Sequence, residues 1–175
     1  MNSKITPRFL VLIGMILFAA ISRLIPHPPN FTAVAAMALF GGAYFNNRYA
    51  AYMIPLSALF LTDLILGFHN TMWAVYLSFA LVVFIGTLLR NRKKPANILL
   101  ASVTASVLFF VITNLAVWLS GTLYPLTGEG LALCYTAAIP FFHYNLIGDL
   151  FFAGVMFGIF ELAKVKFPQL AEVKA

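Results

Sequence analysis

Apolar residues run in long blocks along this chain, and short polar or proline-bearing stretches separate the blocks. The first block, residues 9–25, ends at Pro26, Pro28 and Pro29, which lack amide donors and restrict their neighbours, so a helix stops there. The second, residues 31–45, is short and rich in Ala and Gly, a composition that lets helix backbones approach closely in lipid. It ends at Asn46, Asn47 and Arg48. The third, residues 49–68, carries Pro55 as a kink point and turns at His69, Asn70 and Thr71. The fourth, residues 72–89, meets the basic run Arg90 to Pro95, and the fifth covers residues 96–120. Gly and Pro then break the pattern. The next apolar stretch holds Pro140 and an aromatic cluster, and reads as a half-helix or interfacial lid ahead of a sixth helix over residues 145–165. The pattern predicts an all-α integral membrane protein: one six-helix transmembrane bundle over residues 1–175, with an interfacial segment before helix 6.

Composition supports that reading. The chain is 62% hydrophobic and 9% charged, with mean hydropathy +0.95, whereas soluble domains carry about 25% charged residues. A span takes about 20 residues, so 175 residues hold six spans and short loops and leave no room for a soluble catalytic or nucleotide-binding domain. The basic start and apolar run at the N-terminus have the look of a signal peptide. The run is long enough to span and lacks a clear Ala-x-Ala ending, so it reads as the first transmembrane helix. The single cysteine, Cys134, excludes an intrachain disulfide and reads as a packed thiol.

The net charge of +6 is topological. With six helices and both termini cytoplasmic, Lys4, Arg8, Arg48, Arg90, Arg92, Lys93, Lys94, Lys164, Lys166 and Lys174 fall inside, and Arg23 alone falls outside. The expected anionic neighbour is membrane phospholipid rather than nucleic acid, and the expected location is the inner cell membrane, crossed several times.

Buried polar residues gather at one depth on the outer side. Asp63 lies within "SALFLTDLILGFHN", about 7–8 Å below the outer end of helix 3. Asp149 lies at a similar depth in helix 6, with Asn145 on the same helix face. Asn114 and Trp118 lie in the outer part of helix 5, where Ser102, Ser106 and Phe110 continue the stripe inward. Asn30 and Thr32 open helix 2. Ligand sites are concave, mostly apolar and carry a few convergent polar groups. The candidate substrate-binding residues are therefore Asp63, Asn114, Asn145 and Asp149, with Asn30, His69, Trp118 and His143 at the mouth and Phe141, Phe142 and Tyr144 to close it. Two acidic residues point to a ligand with donor groups or a positive charge.

Structural roles compete at each position. Asp63 can bond a neighbouring helix, Asp149 can cap helix 6, Asn114 can join helices, and Trp118 suits an interfacial belt. Glu161 can pair with Lys164 or snorkel. Gly154-x-x-x-Gly158 and Ala101-x-x-x-Ala105 are helix-packing patterns. His27, His69 and His143 sit in separate loops without close metal-ligand spacing and read as solvated; no metal or other cofactor is expected. No Gly-x-Ser-x-Gly, His-Glu-x-x-His or Gly-rich phosphate loop is present, so an enzyme is not expected.

With these features the chain resembles the substrate-binding (S) component of energy-coupling factor transporters. "FTAVAAMALFGGAYFNNRYAAYMIPLSALFLTDLILGFH" and "LYPLTGEGLALCYTAAIPFFHYNLIGDLFFAGVMFG" are also similar to an uncharacterised family of small membrane transport proteins related to that group. The resemblance implies uptake of a small vitamin-like solute, a pocket near the outer face closed by loops, and a transmembrane coupling subunit driven by two ATPases. Any ATP hydrolysis would reside in those partners. Many S components carry Ala-x-x-x-Ala on helix 1 for docking, whereas helix 1 here carries Gly14 and the Ala19–Ala20 pair; the Met-His terminus of metal-type members is also replaced, by "MNSK". The alternative is a membrane scaffold or assembly subunit, whose outer polar groups would bond one another and leave no pocket.

Overall fold

In a computed structural model, residues 6–171 are described. Lys4 and Lys174 of the charge count, and the whole of "MNSK", lie outside them. Among these residues six α-helices make up the bundle: α1 (Pro7–Ile21), α2 (Val34–Tyr44), α3 (Arg48–Leu66), α4 (Met72–Leu88), α5 (Pro95–Leu119) and α6 (Gly128–Lys166). A 3₁₀ turn, Ser22–Leu24, extends α1, and another, Pro168–Leu170, follows α6. Local chemistry sets several starts. Thr6, Asn47 and Thr127 cap α1, α3 and α6 by accepting from amides of the first turn, and Pro95 opens α5 where its missing donor costs nothing.

Among the described residues four segments are long and apolar enough to cross a membrane: Pro7–Leu24, Arg48–Leu66, Pro95–Leu119 and Gly128–Lys166. This is a membrane protein by the length and composition of its helices. Val34–Tyr44 and Met72–Leu88 are shorter. At 1.5 Å per residue, α2 is only about 16 Å long, roughly half the hydrocarbon thickness.

All eleven residues of α2 are buried, and it touches each of the other five helices. Its small residues make this possible. Gly42 of α2 and Gly86 of α4 meet at their backbones: a Cβ on Gly42 would lie 2.2 Å from the Val83 carbonyl oxygen, and one on Gly86 would lie 2.4 Å from the Leu39 oxygen. Phe40 and Tyr44 pack against Phe157 and Phe160 of α6 with ring centroids 4.6–5.5 Å apart. A buried helix end leaves carbonyls without partners. Two arginines supply them, as Arg90 Nε donates to the Gly42 carbonyl and Arg8 to the Tyr44 carbonyl. The Tyr44 hydroxyl donates to Glu161, which also pairs with Lys164 at 2.6 Å.

One expected element is corrected. The stretch before helix 6 is no separate interfacial segment; it is the first part of α6, a continuous helix from Gly128 with Pro140 inside it. A proline within a helix removes one amide donor and kinks the axis without ending the helix when neighbours hold both sides. They do so here. The Cys134 thiol and Tyr135 hydroxyl bond carbonyls of Asn114 and Val111 on α5, while Asp149 accepts from Ser106 further along. Between the Cys134–Asn114 and Asp149–Ser106 contacts α6 advances about 22 Å and α5 about 12 Å, so the two cannot run straight and parallel there.

Of the two small-residue patterns, Ala101 and Ala105 are buried as expected. Gly154 and Gly158 are not used within the bundle. Both are exposed, and a Cβ on either would meet nothing within 4 Å. The other face of α6, with Ala153, Met156, Phe157 and Phe160, is the buried one.

The Gly42–Gly86 crossing predicts asymmetric glycine tolerance. Gly42→Ala and Gly86→Ala are expected to lose about 1–3 kcal/mol of stability by overpacking. Gly154→Ala and Gly158→Ala should keep or slightly gain stability from the better helix former. Thermal unfolding of the four purified variants in detergent checks this, and equal behaviour of the two pairs would refute the crossing.

Candidate functional site

The N-terminal end of α2 stops short of the bundle end that carries Arg23, and a cavity of about 360 Å³ fills the space. Val34 and Ala35 form part of its wall. Asp63 of α3, Asn114 of α5, and Asn145 and Asp149 of α6 line it, together with Asn30 and His69 from the loops. Six of the eight residues singled out by position in the sequence thus come together. Trp118 and His143 do not line it. The Trp118 indole donates to the Pro125 carbonyl at 3.0 Å and fastens the loop ahead of α6, and His143 is exposed. Of the aromatic residues expected to close the pocket, Phe141 and Phe142 line it and Tyr144 does not.

The carbon surface comes from helix faces set by their periodicity. Phe79 of α4 stacks on Phe109 of α5 with centroids 5.2 Å apart, and Phe110 packs against Phe142 at 4.9 Å. Phe141, Phe142 and Ala138 lie on the part of α6 around Pro140, where that helix diverges from α5. The short α2 and the course of α6 together make the space.

Asp63 and Asp149 do not bond each other. Asp63 is 6% exposed, and both of its oxygens are engaged: Oδ1 accepts from Arg23 Nη1 at 2.8 Å, and Oδ2 accepts from the Tyr76 hydroxyl at 2.8 Å. The same Arg23 nitrogen donates to Thr62, one residue before Asp63. A carboxylate inside a bundle needs an opposite charge or a wet cavity, and Asp63 has its cation. Asp149 is 3% exposed and differs. Its Oδ2 accepts from Ser106 Oγ at 2.6 Å and from Asn145 Nδ2 at 2.8 Å, both neutral donors. No salt bridge reaches it among the described residues.

The remaining groups are fixed by local bonds. Asn114 Nδ2 donates to the Phe110 carbonyl one turn back, and its backbone carbonyl accepts the Cys134 thiol. Cys134 is buried, as a packed thiol should be. Asn30 has φ 61, in the left-handed region that Asn tolerates better than most residues. The following Phe31 and Thr32 rest on Gly148, where a Cβ would lie 3.2 Å from the Phe31 Cα. The loop between α1 and α2 therefore sits beside Asp149. Among the described residues no group of three or more His, Cys, Asp and Glu is placed to hold a metal ion.

Position in the sequence did not select Arg23, Tyr76 or Thr62 as part of the site. The available signal for Arg23 was its isolation in the charge count, which expected it to be the single Lys or Arg on the side of Asp63 and Asp149, and a buried charge needs a counter-charge. Ser106 lay on the α5 stripe and proves to be the donor to Asp149.

The Arg23–Asp63 pair is largely shielded, with side chains 16% and 8% exposed. Arg23→Gln is expected to cost about 3–5 kcal/mol because it strands the carboxylate, and Arg23→Gln with Asp63→Asn should recover most of that loss. A double-mutant cycle read by unfolding in detergent checks it; additive losses would rule out the pairing. No curated protein matches the chain, and no solved structure does. Residues 3–170 match a family of unknown function, DUF6580, and the chain belongs to that family.

Proposed function

We propose that this protein binds a small solute in the cavity beside α2 and serves its uptake, in the manner of the S component of an energy-coupling factor transporter. In this reading the six-helix bundle spans the inner membrane with the short α2 enclosed inside it, both termini are cytoplasmic, and the cavity opens to the outer face. The basic end, with Arg8, Arg90, Lys93 and Lys164, faces the cytoplasm, as the positive-inside rule requires. The solute is vitamin-like in size. A transmembrane coupling subunit with ATPases would supply the energy, and the protein itself performs no catalysis.

One observation carries the reading. The polar groups at this depth fall into two separate networks, Arg23–Asp63–Tyr76 and Ser106–Asp149–Asn145, and a cavity of about 360 Å³ bordered by both carboxylates lies in the bundle. Small-molecule sites begin at about 300 Å³ and combine apolar walls with a few fixed polar groups. A scaffold subunit is expected instead to join such groups to one another and fill the space between them.

Protein incubated with cell extract, washed and denatured should release a small molecule detectable by mass spectrometry. Ala138→Trp, which puts an indole into the cavity, should fold and release none of it. Asp149→Ala and Asp63→Ala should lower uptake in cells. Protein that retains nothing, or variants with unchanged uptake, would overturn the proposal.

A further inference from the structure

The two carboxylates of the cavity are not equivalent, and the difference identifies the chemistry of the solute. Asp63 is already matched by Arg23, so within that pair the charges cancel. Asp149 is nearly fully buried, borders the same cavity, and among the described residues has only a hydroxyl and an amide as donors. Both of those donors reach the same oxygen, Oδ2, and among the described residues Oδ1 accepts no hydrogen bond. Among the described residues the only Lys or Arg lining the cavity is Arg23, which is committed to Asp63 and Thr62. A carboxylate in such a place is held as an ion by a cation beside it or by water, and a solute that fills the cavity displaces that water, so its own charge must take over.

The walls say what kind of cation. Phe79, Phe109, Phe110, Phe141 and Phe142 line the cavity. Ring faces attract cations, and cages of aromatic side chains hold quaternary ammonium groups in this way. A bare metal ion suits the site poorly. Calcium takes six to eight oxygen ligands and magnesium a near-ideal octahedral set, and this much of the wall is carbon.

We infer that the solute is an organic cation, an amine or quaternary ammonium on an apolar or aromatic body, whose positive group is held by Asp149 with Asn145 beside it. The inference rests on the binding role proposed above and narrows its substrate class. The body of the solute lies among the phenylalanines, and Asn114, whose amide nitrogen is bonded within α5, is left with its oxygen to accept from a donor on the solute.

Three probes of nearly equal size test this on the purified full-length protein: 2-phenylethylamine, the neutral 2-phenylethanol and the anionic phenylacetate, compared by calorimetry and thermal stabilisation in detergent. The amine should bind at least roughly tenfold tighter than the alcohol, since a desolvated charge pair is lost with the alcohol, and phenylacetate should bind least. In Asp149→Asn, which keeps the shape of the side chain, the preference for the amine should vanish while binding of the alcohol persists. The probe series in the native protein decides the matter even if that variant folds poorly. Equal binding of amine and alcohol, or preference for phenylacetate, overturns the organic-cation assignment and leaves the binding role standing. An amine preference that survives Asp149→Asn overturns the role of Asp149. If no probe binds and extract yields a retained non-cationic molecule, the class is wrong. If no probe binds and nothing is retained, both proposals fail.

Discussion

The layout of this bundle depends on one short helix enclosed on every side. α2 is too short to cross a bilayer, yet each of its residues is buried. An apolar helix in such a position brings a difficulty at each end, because its terminal amides and carbonyls are taken away from water. At the Tyr44 end the difficulty is met by side chains, with Arg90 and Arg8 donating to the Gly42 and Tyr44 carbonyls. At the Val34 end no side chain caps the helix, and there the bundle encloses a cavity instead. The close approach of Gly42 to α4 and of Gly86 to α2 fixes the depth of α2, and so fixes where that cavity begins.

Electrostatics then divides the cavity into two halves that differ in how their carboxylates are paired. Arg23, Thr62, Asp63 and Tyr76 tie the end of α1 to α3 and α4 in a closed set of bonds. That set can hold the helices in place with no solute present. Ser106, Asn145 and Asp149 join α5 to α6 and leave one carboxylate oxygen outside their bonds. Burial of a charge is costly unless it is paired, so the half that is internally matched reads as framework and the half that is not reads as the part that meets something else.

Much of the fold was legible in the chain because hydrophobic blocks of membrane length and proline-rich breaks are one-dimensional signals. Five of the six helices lie close to their expected ranges, whereas α6 starts at Gly128 rather than near residue 145; Asp63, Asn114, Asn145 and Asp149, expected at one depth, line one cavity. Pro140 misled, since its effect depends on what holds the helix on both sides: Cys134 and Tyr135 secure the first part of α6 to α5, and Asp149 secures the second. Gly154 and Gly158 misled for a similar reason. Their spacing marks a surface that permits close packing, but the orientation of α6 turned Phe157 and Phe160 inward and left these glycines outside.

The sequence by itself determined that this is a helical membrane protein, that its described residues form six helices, and that Asp63 and Asp149 come near one another, because hydropathy and helical rise are properties of the chain alone. Only the tertiary structure decided which carboxylate has a cation. Arg23 and Asp63 are forty positions apart, and their meeting depends on how α1 and α3 rotate about their axes as they pack on α2, a choice made by many small contacts summed over the whole bundle. That choice left Asp149 facing a cavity and gave Asp63 its partner.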